Sequence, residues 1–231
     1  MKPHVICHMM APLDGRLIVA DWSSSAGHTE EELVAEYDRT HEAVGADAWL
    51  SGRKTGGEFS DGIDGGMSAP GEADRPVHVA ASGAAEYAVI IDKDARLVWK
   101  KAEIGGAHLI VLLGASVPDD YLAALSAVGA SYIVSPSDEI DLPSALGILA
   151  SRFGIKRLML EGGAHTNGEF LKLGLVDEIS YVLFPAIGGK TGTPAIFEAG
   201  EDGLSHPVRL KMTSCTLGPL DNLHIRYDIL R

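Results

Sequence analysis

The sequence predicts an α/β fold, with a central mixed, mostly parallel sheet, flanking helices and an antiparallel edge at the C-terminal end. Three observations predict it. Apolar runs of strand length alternate with longer helix-like stretches through the first three quarters of the chain, the pattern of strands joined by crossover helices. The last three strand-like runs follow one another with little helical sequence between them, as antiparallel neighbours do. A chain of 231 residues, 46% hydrophobic and 22% charged, buries one large core more readily than two small ones, so a single domain over residues 1–231 is expected.

Strands are read at His4–Met10, Ala48–Ser51, Val77–Ala80, Ala88–Asp92, His108–Leu113, Ser131–Val134, Arg157–Leu160, Glu178–Phe184, Arg209–Leu217 and Asn222–Leu230, each an apolar or alternating run of β-forming residues. The clearest helix starts after Thr29, where Thr29-Glu30-Glu31-Glu32 reads as a capping box with carboxylates in the positive first turn, and it ends near Gly45. Further helices are read at Pro118–Val128, with proline at the start, at Leu142–Phe153, whose Leu and Ala spacing is a packing face, and at Thr166–Leu173. The Gly- and Pro-rich, acidic stretch Ser60–Pro76 lacks apolar periodicity and reads as a loop and candidate lid.

Composition narrows the functional classes. With 19 Lys+Arg against 32 Asp+Glu the net charge is −13, which repels polyanions and argues against nucleic acid or an anionic membrane as partner. No run approaches a membrane span, and the N-terminus enters a strand with no signal-peptide core, so a cytoplasmic location is expected. Cys7 and Cys215 sit far apart in strand-like runs, and no disulfide framework is implied.

Three segments carry chemistry. The first, Leu158-Met159-Leu160-Glu161-Gly162-Gly163-Ala164-His165-Thr166-Asn167-Gly168, is a strand, a double glycine and a helix start. Bare glycines let a phosphate approach the backbone, and a helix N-terminus offers it unpaired N–H groups, although a ligand-free strand-to-helix turn has the same spelling. The second, Gly52-Arg53-Lys54-Thr55, also follows a strand. Its two cations and hydroxyl suit the 2′-phosphate and diphosphate of NADPH, and equally a solvated cationic turn. The third, Met9-Met10-Ala11-Pro12-Leu13-Asp14-Gly15, ends a strand in an Asp-Gly turn.

In this order the segments resemble the reductase domain that forms the C-terminal half of the bifunctional riboflavin deaminase-reductase, a dihydrofolate reductase-like fold. Pro12-Leu13-Asp14-Gly15 matches the family's Ser-Leu-Asp-Gly, and Glu161 to Gly168 match its Glu-Gly-Gly-Gly-Thr-Leu-Asn-Gly. Gly174-Leu175-Val176-Asp177-Glu178 and Phe184-Pro185-Ala186-Ile187-Gly188-Gly189 follow as they do there, so the likeness covers nearly the whole chain.

The resemblance implies an NADPH-dependent reductase. Gly162, Gly163, Ala164, His165, Thr166, Asn167 and Gly168 would surround the diphosphate, with Gly52, Arg53, Lys54 and Thr55 also holding the cofactor. Met10 would line the nicotinamide, Glu161 would contact the substrate, and Asp14 would face the same cleft. In the mechanism read here, Glu161 and Asp14 are the catalytic candidates, positioning a small polar, pyrimidine- or sugar-derived substrate or relaying a proton to it. Lys93 falls at another cofactor-contacting position. Relatives commonly pair through edge strands, which implies a homodimer built on the Arg209–Leu230 strands.

The family's Asp-Asp-Pro-x-Leu-Thr-x-Arg stretch has no counterpart after Thr55, and an Arg near the end of the first helix is absent, with Arg39 and His41 nearby. The substrate therefore stays open between a diaminopyrimidine ribosyl phosphate of riboflavin synthesis and another compound. A non-catalytic NADP-binding sensor and a folate reductase are the further alternatives. No zinc-deaminase signature is present. Gly188-Gly189-Lys190-Thr191 lacks the first glycine of a phosphate loop. His4 and His8 have no co-ligands at metal spacing, and Trp22, beside the serines at 23 to 25, either stacks on a nicotinamide or covers the core.

Overall fold

A computed structural model describes residues 1–23, 27–63, 75–204 and 207–230. In chain order the strands are β1 (His4–Pro12), β2 (Ala48–Gly52), β3 (Gly62–Ile63), β4 (Val77–His78), β5 (Tyr87–Ile91), β6 (Leu97–Val98), β7 (Glu103–Ile104), β8 (Ala107–Leu113), β9 (Ser131–Val134), β10 (Arg157–Leu160), β11 (Glu178–Phe184), β12 (Arg209–Leu217) and β13 (Leu223–Leu230). The helices are α1 (Glu30–Val44), α2 (Arg53–Gly56), α3 (Asp119–Val128), α4 (Leu142–Arg152) and α5 (Ala164–Lys172), with a 3-10 turn at Val19–Asp21.

The chain forms two compact units, one of Met1–Pro3 with Asp47–Leu158 and one of His4–Ala46 with Met159–Arg231. In the first, the strands run β2-β5-β8-β9-β4, parallel except for the short β4, and β7 adds antiparallel to β8. Its core joins Leu109, Val111 and Leu113 of β8 and Ile90 of β5 to Leu122 and Leu125 of α3, with Trp99 and Tyr132. These strands read as nearly continuous apolar runs because both faces are covered.

In the second unit the order is β12-β13-β11-β1-β10, of which Met159 and Leu160 of β10 belong here. β1 and β11 are parallel, while β13 is antiparallel to both β11 and β12. The antiparallel edge foreseen at the C-terminal end is therefore observed, with β13 lying between β11 and β12. Leu33 of α1 packs on Val182 and Phe184 of β11, and Met10, Trp22 and Tyr37 close over that cluster. Trp22 donates its indole N–H to the Arg16 carbonyl at 2.9 Å, so it covers the core.

The capping box is formed. Thr29 accepts from the Glu32 N–H, the Glu32 carboxylate accepts from the Thr29 N–H, and Gly45 closes α1 at a φ of 64°. Of the candidate lid, residues 64–74 lie outside the described residues, as do Ser24 and Ser25 of the serine cluster. The described start of the lid stretch pairs as β3 with β6.

Candidate active site

Glycine chemistry shapes the turn between β10 and α5. Gly162 takes a φ of 95°, where an L side chain is strained, and it is joined to Gly163 by a cis peptide. Gly163 is the N-cap of α5 and supplies no side-chain cap. A Cβ built on Gly163 would meet nothing within 4 Å. The first N–H groups of a helix have no intrahelical partner and carry its partial positive charge. Here no side-chain cap takes them among the described residues, which leaves them available to an anion.

The rest of the segment holds that turn in place. Gly168 lies so close to the following chain that a Cβ there would stand 2.1 Å from the Glu198 carbonyl oxygen. The Glu198 N–H donates to the Ala164 carbonyl, and Asn167, fully buried, donates its amide to Ile196 O at 2.9 Å. Asn167 Oδ1 is buried with no hydrogen-bond partner among the described residues. His165 is exposed and Thr166 half-buried at the mouth of the turn.

Glu161, the last residue before the glycines, is engaged by two side chains of α1. Its Oε1 accepts from the Tyr37 hydroxyl at 2.9 Å and lies 2.7 Å from His41 Nδ1. Burial, followed by the Glu161 charge, holds the Tyr37 phenol well above its usual range. His8 of β1 stacks on Tyr37 with ring centroids 4.6 Å apart. Its Nδ1 lies 2.9 Å from Ser180 Oγ, which is 2.7 Å from His224 Nε2. Burial pushes the His8 pKa down to about 3, helped by His41 and His224, so His8 is neutral. Neither Tyr37 nor the histidine cluster is visible as a motif. Its sequence trace is the spacing of Tyr37 and His41, four residues apart on one helix face.

Asp14 is exposed and accepts from the N–H groups of Gly188 and Gly189 at 2.9 and 2.7 Å, which lowers its pKa. A carboxylate so held is a fixed charge that organises the following loop and a poor proton relay. Lys190 pairs with Asp21, so Gly188-Gly189-Lys190 belongs to that loop. Met10 is half-buried against the Leu33, Val182 and Phe184 cluster.

The second candidate segment lies in the other unit. Gly52 is the N-cap of the one-turn helix α2, Arg53 and Lys54 are exposed, and Thr55 is half-buried. Neither cation forms an ion pair among the described residues. Gly56 packs tightly enough on β5 that a Cβ there would stand 2.5 Å from Ile90. Lys93 is partly exposed and pairs with the exposed carboxylate of Glu139. No group of three metal-ligating side chains occurs among the described residues. No helix among them is long and apolar enough to cross a membrane.

Comparison with known proteins adds identity to this geometry. A 2,5-diamino-6-ribosylamino-4(3H)-pyrimidinone 5′-phosphate reductase of Methanothermobacter thermautotrophicus is 29% identical over 242 residues, covering 99% of each chain. The reductase of the same name from Aquifex aeolicus is 36% identical over 90 residues, 39% of this chain and 40% of that one. Among solved structures, a pyrimidine reductase-like protein of Corynebacterium diphtheriae superposes with a TM-score of 0.68 at 18% identity, over 99% of this chain and 92% of that one. Acinetobacter baumannii RibD does so with a TM-score of 0.64 at 18% identity, over 100% of this chain and 59% of that one. These likenesses give the expected dihydrofolate reductase-like fold. The model of the RibD C-terminal domain matches residues 3–220, and the chain therefore belongs to that family, the nicotinamide-dependent reductases of riboflavin biosynthesis.

Proposed function

We propose that this chain is an NADPH-dependent reductase acting on a diaminopyrimidine ribosyl phosphate, the substrate class in the names of its Methanothermobacter and Aquifex relatives. The observation that carries the reading is the uncapped start of α5 with free space over Gly163, directly after the carboxylate of Glu161. The family model spans both compact units, which supports one functional domain over the whole chain.

In this reading the backbone N–H groups at Gly163–Thr166 bind the diphosphate, and Asn167 and Gly168 lock the turn. Arg53, Lys54 and Thr55 take the 2′-phosphate, for which two cations with no ion pair among the described residues are suited. Met10 borders the nicotinamide. Bound nicotinamide supplies the hydride, while the chain's own residues orient the partners. Glu161 accepts a hydrogen bond from the substrate, and Asp14 fixes the Gly188-Gly189 loop beside it. A homodimer through β12 completes the proposal, since Leu210, Met212 and Leu217 of that strand are exposed.

The test is titration with NADPH and NADH, followed by tryptophan fluorescence and melting temperature, together with NADPH oxidation in the presence of the diaminopyrimidine substrate. Tight NADPH binding, much weaker NADH binding and turnover are expected. An equal response to the two nucleotides removes the role of Arg53 and Lys54, and binding without turnover makes the chain a sensor.

A further inference from the structure

Glu161 is held through one oxygen only. Both side-chain donors, the Tyr37 hydroxyl and His41 Nδ1, converge on Oε1, and Oε2 has no hydrogen-bond partner among the described residues. Tyr37 and His41 are four residues apart on α1, so one helix face presents both donors, and the Thr29 capping box fixes where that helix begins. The Tyr37 hydroxyl has a single proton to share between Glu161 Oε1 at 2.9 Å and the His8 carbonyl at 3.1 Å. The ionised acceptor is the stronger one. His41 therefore supplies the second, charge-assisted arm of the clamp. The Glu161 side chain is 16% exposed and that of His41 23%, so the pair reaches the surface beside the glycine turn.

We propose that His41 is a positioning residue for the reductase reaction, pinning Oε1 of Glu161 with Tyr37 so that Oε2 is presented to an N–H donor of an aminopyrimidine substrate. This rests on the substrate role proposed above for Glu161. The groups bearing on the pair differ in kind. From β1, burial pushes the Cys7 thiol up and holds His8 neutral. From α1, Tyr37 stays protonated, with Asp38 bearing on it. From β13, His224 is shifted toward its neutral form by burial, then by Arg226 and Arg39. Imidazole is the side chain whose ordinary titration falls between about pH 5 and 8, which is why the clamp is tested across that range.

The experiment compares the parent with H41L, H41N, Y37F and E161Q. Substrate KM and kcat are measured across that pH range, with NADPH affinity by fluorescence quenching and melting temperature as controls for the cofactor site and the fold. H41L is expected to raise substrate KM about ten-fold, the effect of losing a charge-assisted hydrogen bond, with kcat and NADPH affinity much less affected. Asparagine keeps a donor near the Nδ1 position without titrating. H41N is therefore expected to restore KM to within about three-fold of the parent and to flatten its pH dependence. Without any ligand, the His41 ring resonance is expected to titrate at lower pH in E161Q than in the parent, because the carboxylate favours the imidazolium.

An H41L variant with parental KM and pH profile overturns the proposal, as does an H41N variant as impaired as H41L. E161Q separates the two levels of the argument. Parental KM in E161Q removes the substrate role of Glu161, whereas a raised KM in E161Q with a parental H41L removes only the role of His41.

Discussion

A neutral imidazole at His8 makes the fold sensitive to acid. Its ordinary value of 6.5 falls to about 3 in the folded chain, through burial first and then His41 and His224. The unfolded chain thus binds the proton that the folded chain refuses. Stability is fully present above pH 6.5 and is lost as pH falls through that value toward 3, at up to about 1.4 kcal/mol per pH unit. Urea unfolding of His8→Gln is expected to show a shallower loss between pH 6.5 and 4 than the parent, and parallel slopes would contradict the assignment. Gly168→Ala acts by sterics, since its Cβ would lie 2.1 Å from the Glu198 carbonyl. The backbone must move, and a loss of about 1–3 kcal/mol is expected by urea unfolding, together with weaker NADPH binding. At this scale the sequence named the ends of the candidate site, Glu161 and the glycines, because a strand running into Gly-Gly leaves a motif. It left out Tyr37, Ser180 and His224, because a partly buried polar cluster drawn from three elements leaves none.

Secondary structure was legible wherever period and punctuation agreed. The Thr29 box and Gly45 bracket α1, and strands of four residues or more fell within one or two residues of their observed ends. The two-residue strands β3, β6 and β7 and the single turn of α2 are too short to carry a period, so tertiary pairing alone defines them. Two helix starts give opposite tests. Thr29→Ala removes a formed cap and is expected to cost about 0.5–2 kcal/mol by urea unfolding while sparing NADPH affinity. Gly163→Asp places a capping carboxylate where the structure has free space. Stability is expected to change by no more than about 1 kcal/mol, while NADPH affinity falls at least about ten-fold through repulsion of the diphosphate. Parental affinity in Gly163→Asp would move the cofactor away from α5.

On the scale of the whole molecule, a net charge of −13 repels anions at long range, so the anionic dinucleotide proposed as cofactor requires local devices such as the backbone N–H groups at the start of α5. The fold class was legible from the alternation of strands and helices, but the order of the last strands was not. Chain order suggests β11-β12-β13, whereas β13 inserts beside β11 and leaves β12 at the edge. That edge exposes Leu210 and Met212 at 47% and 53%, and it is the proposed dimer contact. Sedimentation is expected to give twice the 24.4 kDa chain mass for the parent and the chain mass for a Leu210→Lys, Met212→Lys double variant. The most direct test of the account is an amide-resolved NMR titration with NADPH. The largest shifts are expected at the N–H groups of Gly163, Ala164, His165 and Thr166, and a titration that saturates while leaving those four amides unmoved would contradict it.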